Sequence, residues 1–87
     1  MAQDVEARRL QVNGIVQGVG FRPFVYQLAA RYGLKGEVAN TSSGVTILIE
    51  GPAARIRLFE KDLTEKSPPL AHIVEVASHP EPLRDGW

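Results

Sequence analysis

The sequence has 87 residues, a length that suits one small domain, and 44% of them are hydrophobic, which is enough for a packed core. Lys and Arg together number 10, as do Asp and Glu, so the formal net charge is zero, which argues against a general binder of nucleic acid or membrane surfaces. The chain contains no cysteine, no signal-like apolar stretch near Met1 and no run long enough to span a membrane, so it lacks a disulfide framework and a thiolate zinc site and is expected to be cytoplasmic.

The first half of the chain predicts a strand, a glycine turn and a helix. Residues 8–16 alternate apolar and polar side chains, as in a half-buried strand, and residues 1–7 before them read as a polar arm. Pro23 is expected to open the helix, where its missing N–H costs nothing. Gly33 suits the C-terminal cap, with Leu34 folding back on the last turn. The apolar stripe of this helix consists of Phe24, Val25, Leu28, Ala29 and Tyr32.

A hairpin and a second helix are predicted next. Residues 35–40 form the second strand, residues 41–44 the turn, and the alternating Val45, Ile47 and Ile49 mark the third strand. Gly51-Pro52 is expected to begin the second helix, and Pro68-Pro69 to end it. The face that this helix buries is expected to hold Ile56, Phe59 and Leu63, and the face that it exposes Arg55, Arg57, Glu60, Lys61 and Asp62.

The last predicted strand covers residues 71–77, with a bulge around Glu75 where the alternation is imperfect. Residues 79–87 read as an irregular tail. The order βαββαβ predicts an α+β fold of the ferredoxin-like type, in which one antiparallel sheet carries two helices on one face. We therefore expect residues 1–87 to form a single domain with its core between about residues 8 and 78.

The turn before the first helix has the composition of an anion site. Its two glycines allow a tight bend and bring backbone amides close to a ligand. The following helix directs the positive end of its dipole at the same point, and Arg22 adds a planar cation suited to phosphate oxygens. A glycine turn alone is as often a plain connection, but the arginine directly after it favours an oxyanion-binding loop. The candidate binding residues are Gln17, Gly18, Val19, Gly20, Phe21 and Arg22.

Chain geometry is expected to bring Asn40 to the same edge of the sheet. The helix descends roughly 15 Å at about 1.5 Å per residue, and residues 35–40 climb back roughly 20 Å at about 3.3 Å per residue. Asn40 is therefore predicted to flank a pocket with Arg22, and Thr41 to support it. From the residues alone, a hairpin asparagine that bonds its own backbone is the commoner interpretation of Asn40, and an ordinary turn residue that of Thr41.

Residues 12–22 (Val-Asn-Gly-Ile-Val-Gln-Gly-Val-Gly-Phe-Arg) resemble the signature of the acylphosphatase family. Residues 21–26 (Phe-Arg-Pro-Phe-Val-Tyr) and 68–71 (Pro-Pro-Leu-Ala) are similar to the N-terminal acylphosphatase-like domain of the carbamoyltransferase that matures nickel–iron hydrogenases. The resemblance covers about residues 8–78. Further matching segments are residues 33–41, 44–45 and 50–52.

The resemblance implies a hydrolase for acyl phosphates, carbamoyl phosphate among them. We expect no metal and no other cofactor to take part, because the sequence places no cluster of Asp, Glu, His or Cys near the loop. It implies that Arg22 and the loop amides bind the phosphoryl oxygens and that Asn40 orients the attacking water. An acyl phosphate has a good leaving group, so positioning and charge stabilisation suffice, with the phosphate itself accepting the proton. The resemblance also implies a sheet in the order 4-1-3-2 with a fifth strand beside the second, and no segment through Trp87 clearly supplies that strand.

Three functions are compatible with these features. The first is hydrolysis of carbamoyl phosphate or other acyl phosphates, by a stand-alone enzyme or by one domain of a larger maturation enzyme. The second is a module that binds carbamoyl phosphate, or the carbamate made from it, and presents it to a neighbouring domain. The third, an RNA-binding sheet, is disfavoured because the third strand offers no aromatic side chain for base stacking. We predict neither a nucleic-acid nor a membrane partner, and we expect His72 and His79 to be ordinary surface residues.

Overall fold

The computed structural model describes residues 4–84. Four strands form one antiparallel sheet in the order β2-β3-β1-β4. Both helices pack on the same face of this sheet, so the predicted ferredoxin-like α+β fold is confirmed. The elements are β1 (Val5–Ile15), α1 (Phe21–Arg31), β2 (Lys35–Asn40), β3 (Gly44–Pro52), α2 (Ala53–Glu65) and β4 (His72–Glu81).

The core lies between the two helices and the covered face of the sheet. Alternate residues of β1 and β3 point into it, as the period of two in their sequences predicts, and the helices add residues at a spacing of three or four. The other face of the sheet, called the open face below, carries the intervening residues of β1 and β3, most of which are polar, although Leu48 is among them. The most completely buried side chains are Leu10, Val12, Val16, Phe21, Val45, Ile47, Ile49, Ile56, Phe59 and Leu63.

The end of α1 forms the predicted glycine cap. Gly33 takes a left-handed φ of 65° and donates its amide to the carbonyl of Ala30, and the amide of Leu34 donates to the carbonyl of Ala29 at 2.9 Å. This pair of hydrogen bonds is the Schellman arrangement, which satisfies two carbonyls that the helix would otherwise leave free. Leu34 is buried against the core, so the chain enters β2 in a fixed direction.

The predicted bulge lies in β4 at Val74, beside Glu75. Asn13 pairs with Glu75 and Gly14 pairs with Ile73, which leaves Val74 as the extra residue. Gly14 has a φ of 141°, and a Cβ added there would lie 2.1 Å from a backbone oxygen of β4. A glycine is therefore required where β1 passes this bulge.

Several predicted boundaries were wrong. Residues 5–7 are not part of an arm but belong to β1, because Val5 pairs with Pro52. Residues 79–81 are not part of an irregular tail but extend β4, where Glu81 pairs with Ala7. Helix α1 begins two residues before Pro23, which therefore occupies its first turn, and α2 begins at residue 53 rather than at residue 51.

Asp62 is buried rather than exposed, contrary to the prediction. Its carboxylate accepts a hydrogen bond from the Tyr32 hydroxyl at 2.5 Å and forms an ion pair with Lys66 at 3.5 Å. The Tyr32 hydrogen bond lowers the pKa of the Asp62 carboxyl, and the same bond raises the pKa of Tyr32. The contact joins the end of α1 to the last turn of α2.

The chain that follows β4 crosses the open face of the sheet toward β2. The amide of Arg84 donates to the Glu50 carboxylate at 2.7 Å, and its guanidinium pairs with the Glu37 carboxylate at 3.2 Å. Over residues 4–84 the sheet has four strands, and none of them pairs with the outer edge of β2. The two helices of this range are too short and too polar to cross a membrane. Trp87 and any strand formed after residue 84 lie outside the described residues.

Candidate active site

The loop between β1 and α1 depends on two left-handed glycines. Gly18 has a φ of 72° and Gly20, which immediately precedes the helix, has a φ of 79°. A Cβ added at either position would meet nothing within 4 Å. The glycines are therefore required by backbone conformation and not by crowding, and the space beside the loop is open.

The backbone amides of residues 17–22 are available to a ligand. No backbone carbonyl among residues 4–84 accepts a hydrogen bond from them, whereas the Gly20 carbonyl accepts the normal helical bond from the amide of Phe24. Helix α1 also has no side-chain N-cap and no acidic residue in its first turn. The positive end of the helix dipole thus lacks a counter-charge from its own helix, which makes it suited to an anion.

Arg22 is held at this helix start by its neighbours. Phe21 is 1% exposed in the core and packs beside Phe24, with the ring centroids 5.8 Å apart. Val19 packs against the core from the loop. Arg22 itself is exposed, and it forms no ion pair with any acidic residue between positions 4 and 84. Its guanidinium is therefore free to bind a ligand anion.

Gln17 joins the loop to the turn that follows Asn40. Its side-chain nitrogen Nε2 donates to the carbonyl of Thr41 at 2.5 Å and to the carbonyl of Gly44 at 2.8 Å. The turn closes on itself through the Thr41 amide, which donates to the Gly44 carbonyl at 2.9 Å. The sequence suggested Gln17 only as a residue of the binding loop, and this bridging role of its side chain was missed.

Asn40 is the exposed last residue of β2 and pairs with Val45 of β3. Val45 is fully buried under the helices, so Asn40 belongs to the helix-covered face of the sheet, on which α1 and its preceding loop lie. The side chain of Thr41 is half-buried, and its hydroxyl accepts a hydrogen bond from Gln11 at 3.2 Å. The structure therefore places Thr41 in the turn that Gln17 bonds to the loop, and Asn40 directly before that turn.

The two histidines do not form a pair. His72 pairs with Ile15 at one end of β4, and His79 pairs with Arg9 toward the other end. Between residues 4 and 84, no three side chains of His, Cys, Asp or Glu gather as metal ligands. The loop and the hairpin thus offer neutral amides and one arginine to a ligand.

Comparison with known proteins gives a consistent assignment. The family model described as acylphosphatase matches residues 8–86. A probable carbamoyltransferase HypF of Methanocaldococcus jannaschii is 57% identical over 65 residues, which cover 75% of this chain and 8% of that protein. An acylphosphatase of Caldivirga maquilingensis is 42% identical over 74 residues, which cover 83% of this chain and 77% of that protein. This chain spans 8–10% of the length of the carbamoyltransferases it matches.

Solved structures agree with the sequence relatives. Full-length HypF in a phosphate- and nucleotide-bound form superposes with a TM-score of 0.93 at 40% identity, over 98% of this chain and 11% of that one. The acylphosphatase of Bacillus subtilis superposes with a TM-score of 0.82 at 31% identity, over 95% of this chain and 91% of that one. With its strand order, its glycine loop and a family model that covers nearly all of its length, the chain belongs to the acylphosphatase family.

Proposed function

We propose that this chain hydrolyses the carboxyl–phosphate bond of acyl phosphates, with carbamoyl phosphate as the substrate of most interest. The observation that carries the proposal is the set of unaccepted amides at residues 17–22 beside the exposed Arg22. Left-handed glycines cost conformational freedom on folding, so a loop that contains two of them and leaves its donors unused is best explained by a ligand.

The chemistry follows from the charges in the site. The loop amides and the Arg22 guanidinium hold the phosphoryl oxygens, and they stabilise the negative charge that develops there. The Asn40 carboxamide orients a water molecule toward the phosphorus without adding a negative charge that would repel the substrate. Water attacks the phosphorus, the bond between phosphorus and the acyl oxygen breaks, and the carboxylate leaves. The proton of the water passes to a phosphate oxygen, so no protein base is needed.

A second function is favoured by the size of the relatives. The carbamoyltransferases that this chain matches are about ten times longer, since the match covers 8–10% of them. In a protein of that kind, working in the cytoplasm with its further domains, the same site would bind carbamoyl phosphate, or the carbamate made from it, and present it to a neighbouring domain. The two functions share Arg22 and the loop and differ in whether Asn40 activates a water.

RNA binding gains no comparable support. The strands β1 to β4 carry no Phe, Tyr or Trp, and the aromatic residues of the described chain lie in or directly after the helices. Base stacking on the sheet therefore has no platform.

The deciding experiment measures inorganic phosphate release from carbamoyl phosphate and from acetyl phosphate, together with calorimetric binding of inorganic phosphate. Release above the spontaneous rate, inhibited by phosphate, supports hydrolysis. Phosphate binding without release supports the delivery function. If the chain neither binds phosphate nor accelerates its release, both functions are wrong.

A further inference from the structure

Gln11 lies at the centre of a hydrogen-bonded network on the open face of the sheet. Its Oε1 accepts a hydrogen bond from the Thr46 hydroxyl at 2.6 Å. Its Nε2 donates to the Thr41 hydroxyl at 3.2 Å and to Asn13 Oδ1 at 3.0 Å. Both donors and the carbonyl oxygen are used, so the carboxamide has one preferred orientation.

Asn13 extends the network to the rest of the turn and to β4. Its Oδ1 also accepts a hydrogen bond from the Ser43 hydroxyl at 3.1 Å, and its Nδ2 donates to the Glu75 carboxylate at 3.3 Å. The backbone adds a bond of 3.1 Å from the amide of Gly14 to the carbonyl of Ser43. The turn after Asn40 is therefore attached to β1 at several points.

Thr41 is held from two directions. Gln17, in the loop, bonds its carbonyl oxygen, and Gln11, on the open face, bonds its hydroxyl. Gln11 pairs with Thr46, whereas Asn40 pairs with the buried Val45, so Gln11 and Asn40 belong to opposite faces of the sheet. Gln11 can thus act on Asn40 only through the turn.

We propose that Gln11 is a positioning residue that sets the orientation of Asn40 through Thr41. This inference rests on the hydrolysis proposed above. A turn that is free to shift would leave Asn40 present but misdirected, so the water would lose its alignment with the phosphorus. We expect phosphate binding to change little, because none of the three hydrogen bonds of Gln11 reaches the loop amides or Arg22.

The test compares Gln11→Met with Ser78→Ala. Methionine has a similar length and no strong hydrogen-bonding group, so it removes the three bonds of Gln11 at little change in volume. Ser78→Ala is the matched control, because Ser78 accepts a bond from Arg8 at 2.7 Å and donates one to Glu60 at 3.4 Å, away from the turn. We expect Gln11→Met to lower kcat about tenfold with KM and the phosphate inhibition constant unchanged, and Ser78→Ala to leave all three unchanged.

Hydrogen exchange of the Thr41 amide gives a readout that does not require turnover. This amide donates to the Gly44 carbonyl inside the turn, so it should exchange faster in Gln11→Met than in the control. A wild-type kcat in Gln11→Met, or equal Thr41 exchange in the two variants, overturns the inference. If the wild-type chain releases no phosphate, the proposed hydrolysis fails separately, and the exchange measurement alone decides whether Gln11 holds the turn.

Discussion

The two helices begin in different ways, although both lie on the same face of the sheet. The first amide of α2, at Ala53, donates to the carbonyl of Asp4 at 2.8 Å, and the residue before it, Pro52, has an ordinary extended backbone with φ −59° and ψ 133°. Helix α1 follows the left-handed Gly20, and no carbonyl among residues 4–84 accepts its first two amides. The fold thus accepts the first amide of α2, whereas the first two amides of α1 have no backbone acceptor among residues 4–84.

We interpret the difference as that between a structural helix start and one kept for the proposed ligand. The start of α2 uses a residue with a restricted φ and a backbone partner, which stabilises the fold. The start of α1 uses glycines, which lose more conformational freedom on folding than other residues. The amides of this loop have no backbone acceptor among residues 4–84. A loop that lowers the stability of the fold without forming hydrogen bonds in exchange is typical of functional sites. The following experiments test this interpretation.

The largest effect is expected for Arg22→Ala at the start of α1. Loss of one oxyanion-stabilising donor typically costs about 10²–10³ in rate, and a charged, bidentate donor should cost at least that. Inorganic phosphate binding should disappear as well, while the fold remains intact because the side chain is exposed. Arg22→Lys should restore little, because lysine lacks the planar fork.

Arg57→Ala on α2 is the control for that experiment. Arg57 is also exposed, and no ion pair links it to an acidic residue between positions 4 and 84. Its loss should change neither rate nor phosphate affinity. Near-normal turnover of Arg22→Ala, measured by phosphate release, would show that the start of α1 is not the site.

Asn40→Ala should separate binding from chemistry. In the proposed mechanism the loop and Arg22 hold the phosphate, so its affinity should change little, whereas kcat should fall steeply because the water loses its orientation. Ser42→Ala, at an exposed position in the same turn, should behave like the wild type. Calorimetry and initial rates give the two quantities, and a parallel loss of affinity and rate in Asn40→Ala would contradict a water-orienting role.

The sequence predicted the elements of the site better than their connections. Repeating apolar patterns and the glycine at position 33 were enough for the fold, and Gly18, Gly20 and Arg22 were enough to suggest an anion loop. Neither the bonds of Gln17 to the hairpin nor those of Gln11 to the turn could be predicted, because they join residues 24 to 35 positions apart in the sequence. Contacts of that kind depend on strand register and on side-chain rotamers, which composition and spacing do not specify.

Asp62 shows the same limit in the core. Its charge and its neighbours on α2 indicated a solvent-facing residue, but the end of α1 supplies the Tyr32 hydroxyl that makes its burial acceptable. The sequence contains both residues but gives no sign that they meet. Strand ends were misjudged for a related reason, since Val5 and Glu81 are held by pairing across the sheet rather than by their own apolar pattern.

A smaller effect, on stability alone, is expected at the opposite end of α1. Tyr32→Phe removes the hydrogen bond to Asp62, so the melting temperature should fall at neutral pH while kcat and phosphate affinity stay unchanged. This variant tests whether the end of α1 contributes only to stability, whereas the start of α1 contributes to the proposed activity. A loss of activity without a loss of stability would show that the two ends are not independent.

The same variant has a defined pH dependence. The folded pKa of Asp62 lies below its usual 3.8, so its contribution to stability is present above that pH and is lost as the pH falls through the folded pKa. The folded pKa of Tyr32 lies above its usual 10.0, so its contribution is present below that pH and is lost as the pH rises through the folded pKa. The difference in melting temperature between Tyr32→Phe and the wild type should therefore be constant between about pH 5 and 9 and should narrow outside that range.

The two edges of the sheet also differ, in how well each is protected against pairing with another strand. The β4 edge carries a bulge at Val74 and a proline at position 80, two features that discourage pairing with another strand. The β2 edge has neither, and the Glu37 carboxylate, one of its few charges, is already paired with Arg84. A cavity of about 160 Å³ beside this edge is lined mainly by apolar side chains, among them Tyr26 and Val38.

The smallest effect, self-association, is therefore expected at β2. We expect the 87-residue chain to associate weakly through this edge, because no strand among residues 4–84 covers it and zero net charge provides little repulsion between copies. A longer version with an added strand designed to pair with β2 should not associate and should melt at a higher temperature. Sedimentation velocity over a concentration series and thermal melts of both versions measure the two outcomes. If the shorter chain stays monomeric at every concentration and melts at the same temperature as the longer one, the β2 edge is already covered or adds little to association. The difference between the two helix starts would then have no counterpart at the two edges of the sheet.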